Sequence, residues 1–175
     1  MVRLVARHRI NDPDLVDVAP RGRSRIVEDL GAEDLDTGAD GEFLFDAVRR
    51  KNLKALPEER VRQALLRWLV EEIGAPRTLI AVEYPLSSLD PTSRKRADVV
   101  VWKAAGAEGG LRPWLLAECK APGVRLTDTV ADQIRGYAKN IRAEHVLVTN
   151  GKDTRSFRLD RDAYTAIAGL PAFSD

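Results

Sequence analysis

Two short apolar runs flank a glycine-rich break near the middle of this chain, and both carry charge inside otherwise apolar sequence. The first is KRADVVVW, Lys95 to Trp102, and the second is WLLAECK, Trp114 to Lys120, stopped by Pro122-Gly123. Both read as β-strands, and the Gly/Ala-rich stretch from Ala104 to Gly110 reads as the turn between them. In an antiparallel pair all opposed residues share one midpoint. Pairing Asp98 with Glu118 or with Lys120 puts that midpoint at 108 or 109, inside the turn. Spacing alone therefore sets Asp98 beside both residues, and the two-residue period of a strand puts Glu118 and Lys120 on one face.

Charges in such surroundings are expensive to bury unless they are paired or bound to metal. A buried ion pair between Lys120 and one carboxylate is the ordinary explanation, and it leaves the other carboxylate without a partner. Two carboxylates at one point suit a hard divalent cation, with oxygen ligands from Asp98, Glu118 and the backbone carbonyl of Cys119. Lys120 would then hold an attacking water or stabilise negative charge developing on a phosphate. The thiol of Cys119 points to the opposite face, as a small buried apolar group.

The neighbouring segments supply an architecture. PEERVRQALLRWLVEEIG reads as a helix, with Pro57 and two acids in the first turn and Gly74 closing the end. Val61, Leu65, Trp68, Leu69 and Glu72 form its inward stripe, which projects back through Glu58, with Arg62 one turn further on. LIAVEYPL, Leu79 to Leu86, reads as a strand limited by Pro85. Thr127 caps a helix to about Ile141, with Val130, Ile134, Tyr137 and Ile141 on one face, and His145 to Thr149 is a further strand. A weak strand and a short helix are expected after it. The order helix-strand-strand-strand-helix-strand describes an α/β domain with a mixed central sheet flanked by helices.

Residues 1–54 are poorly patterned and read as an N-terminal extension packed on a domain spanning 55–175. Val2, Leu4 and Ala6 alternate as in a short strand, GAEDLDTGADGE reads as an acidic loop, and Phe43-Leu44-Phe45 suits helix or strand. The pair Pro13-Asp14 reads as a turn. His8 and His145, with one Cys, cannot complete a structural zinc site. Arg49-Arg50-Lys51 and Arg94-Lys95-Arg96 are local basic patches in a chain whose formal net charge is only +1. Arg94, Lys95 and Arg96, just before Asp98, are placed for phosphate contact, with Arg62 as a further candidate. Arg135, Lys139 and Arg142 suit DNA contact or a solvated face equally. No apolar run approaches the roughly 20 residues of a membrane span. The charged N-terminus argues against a secretory signal, and a single Cys fits a reducing cytoplasm.

Arg96-Ala97-Asp98 followed by Glu118-Cys119-Lys120 resembles the D…ExK signature of PD-(D/E)xK nucleases, and Gln133 with Tyr137 matches an accessory Q-x-x-x-Y motif of part of that superfamily. The ordered stretches PEERVRQ, IAVEYPL, RADVVV, ECKAP, QIRGY and LVTNG resemble the N-terminal nuclease domain of type I restriction enzyme R subunits, from about Leu56 to Gly151. The resemblance implies a restriction-endonuclease-like core. It also implies Mg²⁺ (with Mn²⁺ as substitute) on Asp98 and Glu118, Lys120 at the scissile phosphate of DNA, and Gln133 and Tyr137 lining the site. A first-helix acid often completes such sites; Glu58 is the candidate, Glu59 the fallback, and Glu83 a weaker one. The chain lacks a GxxxxGK[ST] loop, so no nucleotide cofactor is expected, and a motor or specificity subunit would be a separate partner. The N-terminal third suits a docking arm or a homodimer contact.

Overall fold

The computed structural model describes Leu30 and residues 42–174. The short strand expected at Val2 to Ala6, Pro13-Asp14, His8 and the acidic loop over 31–41 lie outside the described residues. The first elements are β1 (Phe43–Asp46) and β2 (Lys51–Lys54), paired as a two-stranded hairpin. Helix α1 (Pro57–Glu71) follows, with Pro57 in its first turn. It ends where Ala75 N–H reaches back to Leu69 O at 2.9 Å and Gly74 takes φ +80°, a conformation open to glycine but strained for other residues.

A six-stranded sheet then forms in the order β3 (Ile80–Pro85), β4 (Arg96–Ala104), β5 (Leu111–Cys119), β6 (His145–Thr149), β7 (Thr154–Asp160) and β8 (Ala163–Ile167). All pairs are antiparallel except β5–β6. A parallel pair needs a crossover, and α2 (Asp128–Ile141) supplies it. Strand alternation sorts the core into two layers. Val99, Val101, Leu115, Ala117, Cys119 and Leu147 pack with Val61, Leu65 and Leu69 of α1. Val100, Leu116, Val146 and Val148 pack with Ala131, Ile134 and Ala138 of α2. The sheet is thus sandwiched between the helices, as the sequence pattern requires.

The β4–β5 register is the one read from spacing: Val99 opposes Ala117, Val100 opposes Leu116 and Val101 opposes Leu115. Both strands run closer to the turn than their apolar runs suggest. A register shift falls between Val101 and Trp102, opposite Pro113, which has no N–H to give to the ladder. Two sequence expectations are corrected. The short helix expected at the C-terminal end is strand β8, whose Tyr164 hydroxyl donates to Ala143 O at 2.5 Å beyond the end of α2. Glu72, assigned to the inward stripe of α1, is exposed past the last turn, while Arg62, Gln63 and Leu66 are buried.

Leu65 is fully buried between α1 and the sheet. Leu65→Ala is expected to lower stability by about 2–5 kcal/mol in urea unfolding, the usual cost of such a cavity. A change under about 1 kcal/mol would mean that α1 is not seated on the sheet as described.

Candidate active site

One step beyond the Val99–Ala117 pair, the register makes Asp98 the cross-strand neighbour of Glu118. Regular alternation would send Ala97 and Val99 to the same face, and likewise Val82 and Tyr84. Instead Val82 and Val99 pack in the α1-side core, whereas Tyr84 and Ala97 pack in the α2-side core. Glu83 and Asp98 absorb this reversal. The ladder holds on either side of them, at Val82–Val99 and Tyr84–Ala97, and Glu83 itself has φ +53°. That region costs a non-glycine residue of order 1–3 kcal/mol. The Glu83 carboxylate offsets this by pairing with Arg49 at 3.0 Å and Arg96 at 3.6 Å.

The reversal turns Asp98 toward α1. Its Oδ1 accepts from Arg62 Nη2 at 2.9 Å, and its Oδ2 accepts from the backbone N–H of Cys119 at 2.7 Å. Glu118 and Lys120 keep the normal alternation and open on the α2 side. There Lys120 Nζ donates to Glu118 Oε1 at 2.8 Å. They line a cleft of 270 Å³ together with Lys95, Arg96, Val130, Gln133 and Ile134. Burial by itself would lower the Lys120 pKa, but the hydrogen bond and charge of Glu118, with Asp98 and Glu58 behind it, hold it above the ordinary lysine value. Lys120 is therefore an ammonium at neutral pH. The fully buried Cys119 thiol is pushed well above its usual value, first by burial and then by the charge of Asp98, so it stays protonated.

The first turn of α1 separates the two acids considered there. Glu59 is the buried one, its side chain 11% exposed, and it is tied to Arg49 at 2.8 Å, to Arg62 and to Gln63 Nε2 at 2.9 Å. Glu58 is 48% exposed and touches only the rim of this cluster, through Arg62 Nη2 at 3.4 Å. The inward-stripe argument for Glu58 is thus corrected, because the stripe runs through Glu59 and Arg62. Glu58 still lies at the solvent side of the group, next to the guanidinium nitrogen that holds Asp98.

Arg62 is also corrected as a nucleic-acid contact. Its side chain is 7% exposed and its guanidinium is committed to Glu58, Glu59 and Asp98. By contrast Arg94, Lys95 and Arg96 are exposed. Gln133 reaches the same cleft from α2; Tyr137 lies one turn on, and its side chain is outside the described residues. Arg135 lies over the Phe157 ring at 4.7 Å and pairs with Asp132, and Arg142 pairs with Asp162 at 3.1 Å, so both are engaged within the protein. His145 is buried against Trp114, with ring centroids 5.1 Å apart, and burial lowers its pKa; it is structural.

Asp46, Arg49 and Gln63 were not singled out from sequence. Arg49 was read only as part of a local basic patch, and Gln63 lay on the expected helix outside its inward stripe. The one available signal was Glu83, a lone acid in the apolar run IAVEYPL that needed a cation from elsewhere. Asp46 is fully buried and accepts from Arg49 N–H at 2.7 Å and Gln63 Nε2 at 2.9 Å.

Among the described residues no three of His, Cys, Asp and Glu are arranged to hold a metal ion. Magnesium commonly takes one or two carboxylates and fills its shell with water and substrate phosphate. Asp98 and Glu118 have that donor chemistry, since a carboxylate oxygen carries more than one lone pair.

A mixed sheet between two helices, with an aspartate and an E-x-K tripeptide on adjacent central strands, is the frame of a PD-(D/E)xK-like nuclease domain. The family model described as the type I restriction enzyme R protein N terminus matches residues 57–171, and the chain belongs to that family. The match runs past the stretch noted from sequence and takes in β7 and β8. No match was found among curated proteins or solved structures. No helix among the described residues is long and apolar enough to cross a membrane.

The Asp46 carboxyl sits below its ordinary value. Burial pushes it up, but the Arg49 backbone and side chain and the Gln63 amide together outweigh that. An aspartate in an unfolded chain titrates near about 3.9. A lowered folded-state value gives stability that is complete above that pH and is lost as pH falls through the folded value. Asp46→Asn is expected to lower stability by about 1–3 kcal/mol at neutral pH. In chemical denaturation the gap from wild type should close below about pH 4; a constant gap would remove the ionic part of this account.

Proposed function

We propose that this restriction-related nuclease-like domain hydrolyses DNA phosphodiester bonds with the help of a divalent metal ion, Mg²⁺ or in its place Mn²⁺. The observation that carries the reading is the cleft in which Glu118 and Lys120 meet Lys95, Arg96 and Gln133. An ion pair that served packing alone would have no need of a basic, solvent-open mouth. Asp98 and Glu118 would hold the ion, with the Cys119 carbonyl as a further oxygen donor and Glu58 as the exposed acid nearest to them. When bound, the metal would polarise the phosphate and lower the pKa of a water.

The remaining chemistry belongs to the side chains. Lys95 and Arg96 would grip phosphates flanking the scissile one, with Arg94 beside them, fixing register without reading sequence. Water attacks phosphorus, the bond to the leaving sugar oxygen breaks, and negative charge grows on the non-bridging oxygens. Lys120, held as an ammonium by Glu118, would stabilise that charge. The Gln133 amide would orient the phosphate or the water from α2, with Tyr137 one turn on.

A second reading, a subunit silent until a partner joins it, is favoured by one observation: both Asp98 oxygens are engaged, one of them by Arg62. A separate motor or specificity subunit, or a second copy of the chain, could supply the missing step.

Plasmid and single-stranded DNA incubated with Mg²⁺ or Mn²⁺ would test the proposal. The wild type should cut and EDTA should stop it, while Lys120→Ala should slow cutting by at least about 100-fold. Equal rates for wild type and variant would remove Lys120 from the chemistry. DNA binding without cutting by the isolated chain would leave a non-cleaving module or the partner-dependent reading. Replacing Lys95 and Arg96 together by alanine should weaken DNA binding on every sequence and reduce the salt slope by about 2. An unchanged slope would place the phosphate path elsewhere.

A further inference from the structure

Arg62 is the most heavily engaged cation near the E-x-K strand, and nothing above gives it a role in the chemistry. Its guanidinium lies beneath the reversal of β3 and β4. Nη2 bridges Asp98 Oδ1 at 2.9 Å and Glu58 Oε1 at 3.4 Å. Nη1 pairs with Glu59 and stands 3.9 Å from Glu83 Oε1, too far for a hydrogen bond. Nε is buried with no hydrogen-bond partner among the described residues. This is a cation held mainly by Asp98 and Glu59, with further carboxylate oxygens within a short shift.

We propose that Arg62 is a positioning residue that stands in for a cation at Asp98, so that a divalent ion joins Asp98 to Glu118 only by displacing its guanidinium toward Glu59 and Glu83. The inference rests on the reading that Asp98 and Glu118 hold a metal. Its physical basis is competition for one oxygen. A guanidinium nitrogen 2.9 Å from Asp98 Oδ1 occupies the position and supplies the charge that a bound cation would. The reversal points Asp98 to the α1 side, the guanidinium holds it there, and Asp98 does not line the α2-side cleft that Glu118 lines. Glu83 gives the displaced guanidinium a second seat, because its Oε1 faces Nη1 while Arg49 holds Oε2 at 3.0 Å. The displaced state exchanges one carboxylate partner for another, so the buried charge stays neutralised throughout.

The test is Mn²⁺ binding to the full chain by isothermal titration calorimetry, without DNA, so that catalysis plays no part in the readout. Arg62→Met should bind Mn²⁺ at least tenfold more tightly than wild type, whereas a residue with a merely structural role would leave affinity unchanged or weaken it. Arg112→Met removes an exposed charge of the same sign that pairs with Glu144 at 2.9 Å, at the turn end of β5 and away from Asp98. It should shift affinity no more than about threefold, the scale of a screened surface charge. If Arg62→Met does not fold, Arg62→Lys carries the test. Its ammonium keeps the charge but cannot span Asp98 and Glu59 as a planar fork does, and affinity should rise at least about fivefold, above the limit set for the control variant. Tight binding by the variant where wild type shows none supports the inference in its strongest form. Equal affinity in wild type and folded Arg62 variants, or equal gains in the Arg62 and Arg112 variants, overturns it and leaves the metal reading standing. No Mn²⁺ binding by any of the proteins overturns the metal reading, and this inference with it.

Discussion

Charge at the edge of an apolar sheet has to be neutralised where it stands, and in this chain that requirement joins elements far apart in sequence. Asp98, Glu83 and Glu118 occupy the same level of three adjacent strands. Their partners come from the first turns of α1, from the turn of the β1–β2 hairpin and from the end of β5. Arg49 alone touches Asp46, Glu59 and Glu83. Remove Arg49 and the fully buried Asp46 is left without its cation, which costs far more than a surface ion pair returns. The apolar packing of α1 and α2 stabilises the sheet; the charge cluster fixes how the pieces are oriented at its end.

Much of this was legible because strands and helices announce themselves by period. The β4–β5 register followed from the positions of a glycine-rich turn and two valine- or leucine-rich runs, and the observed pairs keep the midpoint that spacing implies. Both helix spans followed from Pro57, Gly74 and Thr127. What could not be read is equally specific. A reversal of strand alternation leaves no mark in a single sequence, so Asp98 was assigned to the face of Glu118 and Lys120. In the structure its carboxylate answers to α1. Ala163–Ile167 mixes alanine with β-branched and aromatic residues, and the pairing with β7 decides its state, not local preference.

The candidate site divides along the same line. Glu118, Lys120, Lys95, Arg96 and Gln133 meet in one cleft; the first four were singled out from residue type and spacing, and Gln133 from the family resemblance. Arg62 was placed on the inward stripe of its helix, yet it was named as a nucleic-acid contact because the acids that hold it, Glu59 and Asp98, were not seen as its partners. Its burial depends on acids contributed by β3 and β4, which no helical pattern contains. Glu58 and Glu59 differ by one position and 100° of helix, enough to make one an internal counter-ion and leave the other open to solvent.

The β1–β2 hairpin lies wholly before residue 57, where the family match begins. Homology and electrostatics therefore draw different borders on this molecule. A fragment chosen by the first would contain each acid and base of the E-x-K cleft, yet Glu59 and Glu83 would be stripped of Arg49. Arg62 would become the chief counter-ion left to Glu59 and would share Glu83 with Arg96, and the balance around Asp98 would change although no residue of the matched region had been altered.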